Sequence, residues 1–414
     1  MAVGVLAVRD AVRKFPRSGR IIRLSLPAVA AVSTRVVQLF ILIVITQVTV
    51  GEERDVLVVG IALLSATAVL SDTGAGNYLL SRAAPISTNV FYQVLVCQLG
   101  FGLCGASVSL MITAGGITGS GGTIVHVVLI ALACSQILDS VTRVARSPQL
   151  ILGNYSGYAC ADFLLFALKL PAVALAYFTG TLEFLILVPV VSAIVLSASL
   201  YANAKSLPRA NAADFTHTLR GLFQYGISGS ASAFYSQAPM VVGAVILPMD
   251  IVAPIALAYR VVQPLEILPA TASQQLIPRV GAGNRTPLWY WCRFSIGGVL
   301  LGIVVLAVSP YIFESFFHED IDITLLLLLI LSVPVKFGNY ALVAIVLARR
   351  RPEIRLLCSV VVGIIAVGST ALLGLVIGSN GLALASLISE LLLASALGLG
   401  VTKTNNVGSG NCES

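Results

Sequence analysis

The sequence predicts an all-α polytopic membrane protein of about twelve transmembrane helices, in two six-helix lobes related by a parallel pseudo-repeat. Three observations carry that expectation: scarce charge, apolar runs of spanning length, and a one-sided distribution of Lys and Arg. Of 414 residues, 57% are hydrophobic and 10% charged, where a soluble domain carries about 25% charged residues. So few charges cannot cover the surface of a soluble chain this long, and the apolar residues must face lipid or one another. The 36 glycines and 17 prolines suit the same setting. Small residues let spanning helices approach closely, and neighbouring helices re-satisfy the backbone groups that proline frees.

A span needs about 20 mostly apolar residues. Such runs fall at 22–49, 56–80, 89–114, 122–142, 150–178, 181–203, 220–248, 251–277, 289–316, 322–348, 354–378 and 380–401. The cuts inside 150–203 are the least defined, because Pro171 and Pro189 interrupt continuous apolar sequence. The connections then alternate in charge. One set comprises 1–21, 81–88, 143–149, 204–219, 278–288, 349–353 and the tail after 401; counted with the adjacent span ends, it holds 20 of the 25 Lys and Arg. The other set is short (Gly51–Asp55, 115–121, Thr179–Gly180, Pro248–Asp250, His318–Asp322 and Ser379) and holds only Arg54. This asymmetry follows the positive-inside rule. It implies an even number of spans in a cytoplasmic (inner) membrane, with both termini in the cytoplasm.

The net charge of +7 therefore reflects orientation, and nucleic-acid binding is not expected. At the N-terminus Val3–Val8 is too short an apolar run for a signal peptide, and Arg9, Arg13, Lys14, Arg17 and Arg20 follow it. Seven cysteines show no metal-ligand spacing. Six lie in apolar spans and read as small packing residues. No metal or cofactor is expected.

The resulting organisation is a basic tail at 1–21, an N-lobe at 22–203, a linker at 204–219, a C-lobe at 220–401 and a tail at 402–414. The lobes carry a weak repeat. IAL at 61–63 with Asp72 aligns at one offset with IAL at 255–257 and Glu266, and a lone arginine (Arg82, Arg279) follows each span. Both spans run the same way through the membrane, which makes the repeats parallel. Transporters of such two-lobed design place substrate between the lobes and alternate access by rocking.

Residues 220–280 carry a pattern of their own: Arg220 at the start of the seventh span, then Tyr225-Gly226 and Tyr235-Ser236. A tight turn, Ala256–Arg260 (ALAYR) and the exit Pro278-Arg279 follow. This segment resembles the seventh and eighth spans of Wzx-type polysaccharide flippases, in the multidrug/oligosaccharidyl-lipid/polysaccharide exporter superfamily. The first span, Ile22–Val48 with Pro27 and Ser33, is similar to that family's opening, and the six-plus-six layout agrees over nearly the whole chain. Two features depart from it. Gln237-Ala238-Pro239 stands where many relatives carry an acid, and the turn Pro248-Met249-Asp250 lacks glycine. The resemblance implies passage of a polyprenyl-pyrophosphate-linked oligosaccharide from the cytoplasmic to the outer leaflet, for cell-surface polysaccharide synthesis. The partners it implies are the lipid-linked glycan, membrane lipids and other polysaccharide-assembly membrane proteins.

Four cations lie within spans: Arg35, Lys169, Arg260 and Lys336. A mid-span charge costs about 2.5–3.5 kcal/mol on insertion scales, so each needs a reason. At 1.5 Å per residue Arg35 lies roughly 20 Å along its span, near the midplane; Arg260 and Lys336 fall close to that depth and Lys169 nearer the outer side. Arginine suits a pyrophosphate because its planar fork makes bidentate, charge-assisted bonds. On this reading Arg35 and Arg260 hold the pyrophosphate, with Lys336 and Lys169 as further cations. The competing structural reading pairs them with Asp72, Asp139, Asp162, Glu266 and Glu390. Asp162 and Lys169 share a helix face at a spacing of seven, and Asp139 with Arg143 makes an ordinary i,i+4 pair. Glu390 and Asp162 are candidates for ion coupling, Asp72 and Glu266 for gate or lobe contact, and Tyr225, Tyr235 and Tyr259 for stacking on sugar.

Three other function classes compete. A multidrug or small-solute antiporter for cations would favour buried acids over buried arginines. A membrane glycosyltransferase or polymerase needs a sizeable outer loop with paired carboxylates, and only Glu52-Glu53 with Asp55 offers any, so no catalytic residue is assigned. A scaffold has no need of buried cations.

Overall fold

The computed structural model describes residues 17–70, 75–81, 86–116, 122–152, 154–204, 207, 215–280, 286–317, 322–349 and 351–408. The described residues are helical throughout, with no strand among them. They run α1 (Arg17–Val48), α2 (Gly51–Leu70), α3 (Ala75–Ser81), α4 (Thr88–Gly116), α5 (Thr123–Ala145), α6 (Ser147–Ile151) and α7 (Tyr155–Thr179). After a 3₁₀ turn at Leu182–Leu187 come α8 (Val188–Ala204), α9 (Phe215–Ile246) and α10 (Met249–Val262), then a second 3₁₀ turn at Gln263–Glu266. The chain continues with α11 (Ile267–Val280), α12 (Pro287–Ile312), a π turn at Phe313–Phe317, α13 (Ile323–Ala348), α14 (Pro352–Ile377) and α15 (Ser379–Gly408).

Among the described residues, 10 helical segments are long and apolar enough to cross a membrane. The second and seventh expected spans fall short for legible reasons. α2 carries Glu52, Glu53, Arg54 and Asp55 in its first turns, and α9 interrupts its apolar run with Ser and Gly. The observed helix ends lie close to the expected spans, with two differences. Residues 143–149 are mostly helical rather than a loop, and α15 runs on to Gly408. The fifth and sixth spans part at Gly180, a left-handed C-cap with φ 65°. Pro171 stays inside α7, while Pro189 sits in the first turn of α8, where its missing N–H costs nothing.

Packing repeats across the two halves: α1 lies on α7 as α9 lies on α14, and α5 on α8 as α13 on α15. In the second half the second spanning element is broken at the 3₁₀ turn between α10 and α11. The last hairpin is tight. Gly378 takes φ +68°, and a Cβ on Gly381 would stand 1.9 Å from the Leu373 carbonyl oxygen. Asp322 caps α13 from the opposite side of that end, accepting from Thr324 N at 2.8 Å and from Asn380 Nδ2 at 2.7 Å. Those bonds hold the Asp322 carboxyl below its ordinary value. A depressed folded-state pKa contributes stability above the unfolded value and loses it as pH falls through the folded one. Asp322→Ala is therefore expected to cost about 0.5–2 kcal/mol near neutrality, a difference lost as pH falls through the lowered folded-state value; melting curves across pH read it.

The halves meet through two apolar clusters. In the smaller, Leu222 of α9 packs with Tyr78, Leu79 and Val90. In the larger, Leu42, Ile43, Val58 and Val59 pack with Ile255, Tyr259, Phe313 and Phe317. Those of α1 and α2 lie toward the ends that carry the short turns, the expected outer side, as do Phe313 and Phe317 in the π turn that follows α12. Ile255 and Tyr259 lie farther along α10. Within lipid such packing has no hydrophobic drive. Once opened to water, each large side chain would cost about 1.5–3 kcal/mol. The larger cluster is therefore a seal.

The cysteines depart from expectation. Cys97 is buried, but Cys104, Cys134, Cys160 and Cys292 are exposed, on surface that lipid covers in a membrane.

Candidate functional site

Beyond the seal, toward the other end, two cavities of about 390 and about 330 Å³ open between the halves. Both are lined from both sides. The larger takes Ile267 and Ala270 into a wall otherwise built by α1, α2, α5 with Arg146 just after it, α7 and the start of α8. The smaller takes Arg35 and Ser65 into a wall built by α9, the second 3₁₀ turn, α11, α13, α14 and α15. Arg35 and Ser65 border both, so the two spaces are neighbours. Six basic and three acidic side chains line them, a clear excess of positive charge.

The larger cavity is lined by Arg35, Asp139, Arg143, Arg146, Asp162 and Lys169. Its charges pair across helices rather than along them. Lys169 donates to Asp139 at 2.6 Å and to Ser135 Oγ at 2.9 Å, and Ser135 in turn bonds Ser192 at 2.9 Å. Arg146 pairs with Asp162 and lies 4.2 Å from the centroid of the Tyr158 ring. Neither same-helix pair expected from spacing forms. Asp162 turns to Arg146 instead of Lys169, and Asp139 turns to Lys169 instead of Arg143, because a neighbouring helix offers a shorter, better-aligned partner. Arg143 is left exposed at the cavity wall.

In the smaller cavity Lys336, itself buried, meets two carboxylates: Glu266 at 2.7 Å and Glu390 at 3.7 Å. Asn339 Nδ2 donates to Glu390 Oε2 at 2.8 Å and to its backbone carbonyl at 2.9 Å. Removing one member of such a buried cluster strands the rest. Lys336→Met is expected to destabilise by about 3–5 kcal/mol, and adding Glu266→Gln and Glu390→Gln should recover most of it. Thermal unfolding of the detergent-purified protein checks both.

The two arginines behave differently from the lysines and from each other. Arg35 is half-buried, donates to Gln38 Oε1 at 2.9 Å, and has no carboxylate within 4 Å among the described residues. Arg260 is 5% exposed and lines neither cavity. It crosses the seal from α10 to α2, donating to the Ile61 carbonyl and to Ser65 Oγ, each at 2.6 Å. Its acceptors are neutral, so its charge is uncompensated.

Of the other expected residues, Asp72 lies outside the described residues, as does the side chain of Tyr225. Tyr259 donates to Ser386 Oγ at 2.7 Å inside the seal, away from both cavities, while Tyr235 lines the smaller one. Sequence reading missed Arg146, Asn339, Tyr340, Arg355, Ser65 and Gln136. Arg146 stands just before Ser147-Pro148 and so looked like a loop residue. The uncharged ones carry no signal that separates a cavity wall from helix packing.

The architecture is that of a two-lobed membrane transporter fold. No family model and no curated protein matches the sequence. The chain is similar in structure to an inward-facing multidrug resistance MATE family transporter of the MOP superfamily, with TM-score 0.67 and 14% identity, covering 95% of this chain and 99% of that one. It is similar also to the lipid II flippase MurJ in its inward closed conformation, with TM-score 0.65 and 13% identity over 91% of this chain and 87% of that one. The eukaryotic MATE transporter AtDTX14 follows, with TM-score 0.59 and 17% identity over 92% and 95%. At these identities the likeness establishes the fold.

Proposed function

We propose that this protein is a flippase that moves a polyprenyl-pyrophosphate-linked oligosaccharide from the cytoplasmic to the outer leaflet by alternating access. The observation that carries the reading is Arg35: a guanidinium at the junction of two interlobe cavities, with no carboxylate among the described residues to neutralise it. A bare anion in the membrane core is prohibitively costly, and an unpaired arginine fork at mid-depth lowers that cost for a phosphate. Arg143 and the general excess of basic side chains in the walls act in the same sense. Lys169 and Lys336 contribute less, because their charges are already balanced by Asp139, Glu266 and Glu390. The seal keeps the outer side shut while the cavities load from the cytoplasmic side. Rocking of the lobes then breaks the seal and forms its counterpart.

Purified protein in proteoliposomes provides the test. A fluorescent short-chain prenyl-pyrophosphoryl oligosaccharide and a cationic dye, ethidium, are offered separately. The expected result is leaflet exchange of the anionic lipid and none of the dye. Dye transport without lipid exchange would replace this reading with the antiporter, which the likeness to multidrug transporters and the acids Asp139 and Glu266 in the walls would then support.

A further inference from the structure

We propose that the smaller cavity is a saccharide-binding subsite, distinct from the anion position beside Arg35. This inference rests on the flippase reading and deepens it by dividing the headgroup between two chambers. The two walls differ in chemistry. The larger cavity carries four basic and two acidic side chains with Thr34, Gln38, Ser65, Ser135 and Gln136 among them, and no tyrosine. The smaller presents two phenols, Tyr235 and Tyr340, with Gln237, Gln263 and Asn339, beside three basic side chains and Glu266. Its volume of about 330 Å³ falls inside the roughly 300–1,000 Å³ typical of small-molecule pockets.

An anion finds Lys336 already occupied in the smaller chamber. Glu266, which shares that wall, and Glu390, 1% exposed, both engage its ammonium. A sugar fits well, because hydroxyl groups both donate and accept, matching phenols and side-chain amides, while ring faces of tyrosine pack against the apolar C–H face of a pyranose. The second observation is an unsatisfied group. Asn339 is 3% exposed, and its Nδ2 is committed to Glu390, yet its Oδ1 has no donor. A buried acceptor left empty is unfavourable, and a ligand hydroxyl would fill it. Arg355 adds a cation to this wall from α14, and Arg35 stands at the boundary. A pyrophosphate held at that boundary would hang its first sugar toward the tyrosines.

The test measures affinity of the full-length protein in nanodiscs for farnesyl pyrophosphate and for four farnesyl-pyrophosphoryl monosaccharides, bearing glucose, galactose, N-acetylglucosamine or N-acetylgalactosamine. At least one sugar-bearing probe should bind about tenfold tighter than the bare one. That ratio should fall to near one in Tyr235→Ala and in Tyr340→Ala, and partly in Tyr340→Phe, which keeps ring and packing. Arg35→Gln should weaken every probe and preserve the ratio. An unchanged ratio in the tyrosine variants, or no preference for any sugar in the wild-type protein, overturns the subsite and leaves the flippase reading standing if Arg35→Gln still weakens binding. Arg35→Gln without effect on any probe overturns the anion site, and the subsite with it.

Discussion

Arg35→Gln is expected to abolish translocation while leaving the fold intact. The two halves of that statement have the same origin. Because no carboxylate among the described residues pairs with Arg35, its removal strands no buried charge among them, only the Gln38 amide, which borders a cavity and can be hydrated. Melting temperature should barely move. A bound pyrophosphate, by contrast, loses a charge-assisted partner inside a poorly solvated cleft. Truncating one side of such a pair costs about 2 kcal/mol or more, at least about 30-fold in affinity. Arg35→Lys should recover part of this, since it keeps the charge and loses the fork. Exchange of the labelled lipid in proteoliposomes, alongside unfolding curves, reads both quantities. Wild-type exchange by Arg35→Gln would remove the central element of the proposed function.

The second large effect concerns the seal, and its sign is unusual. Arg260→Met is expected to raise thermal stability while slowing transport. In the state described, the guanidinium is buried among apolar side chains with only Ile61 O and Ser65 Oγ as acceptors. Neutral acceptors offset part of the desolvation of a charge, and replacing buried ionic groups by well-packed apolar ones is often stabilising by about 1–4 kcal/mol. When the lobes rock and water enters between α2 and α10, the same cation regains hydration. Arg260 thus opposes the closed seal, whereas Tyr259, Phe313 and Phe317 favour it. A methionine of similar length would leave only the favourable term and hold the seal shut. Spin labels on either side of the seal should show a narrower, shorter distance distribution in the variant. A lower melting temperature would mean that the two hydrogen bonds outweigh desolvation, and the bias would run the other way.

Much of the fold could be read from the chain because membrane helices announce themselves by length and hydropathy alone. Every described spanning element overlaps an expected span. The site was less legible. Depth could be estimated from rise per residue, which placed Arg35 and Lys336 in the middle of their spans. Partnership could not, because it depends on which helix stands alongside. Lys169 bonds Asp139 thirty residues upstream, Lys336 bonds Glu266 seventy away, and Arg260 reaches Ile61 across 199 residues. Spacing of four or seven suggested Asp139 with Arg143 and Asp162 with Lys169. Those pairs share a face but lose to partners on adjacent helices. The difference between Arg35, open to the cavities, and Arg260, shut inside the seal, has no sequence signature either: both are single arginines in apolar runs.

Ser65 has one proton and two lone pairs. Arg260 takes one lone pair at 2.6 Å and Gln136 Nε2 takes the other at 3.0 Å. The hydroxyl itself borders both chambers, and its proton has no acceptor among the described residues. On the proposed function, cargo held beside Arg35 would meet a hydroxyl whose oxygen is already tied to the closure by Arg260. Loading and opening would then share one coupling free energy, equal from either end.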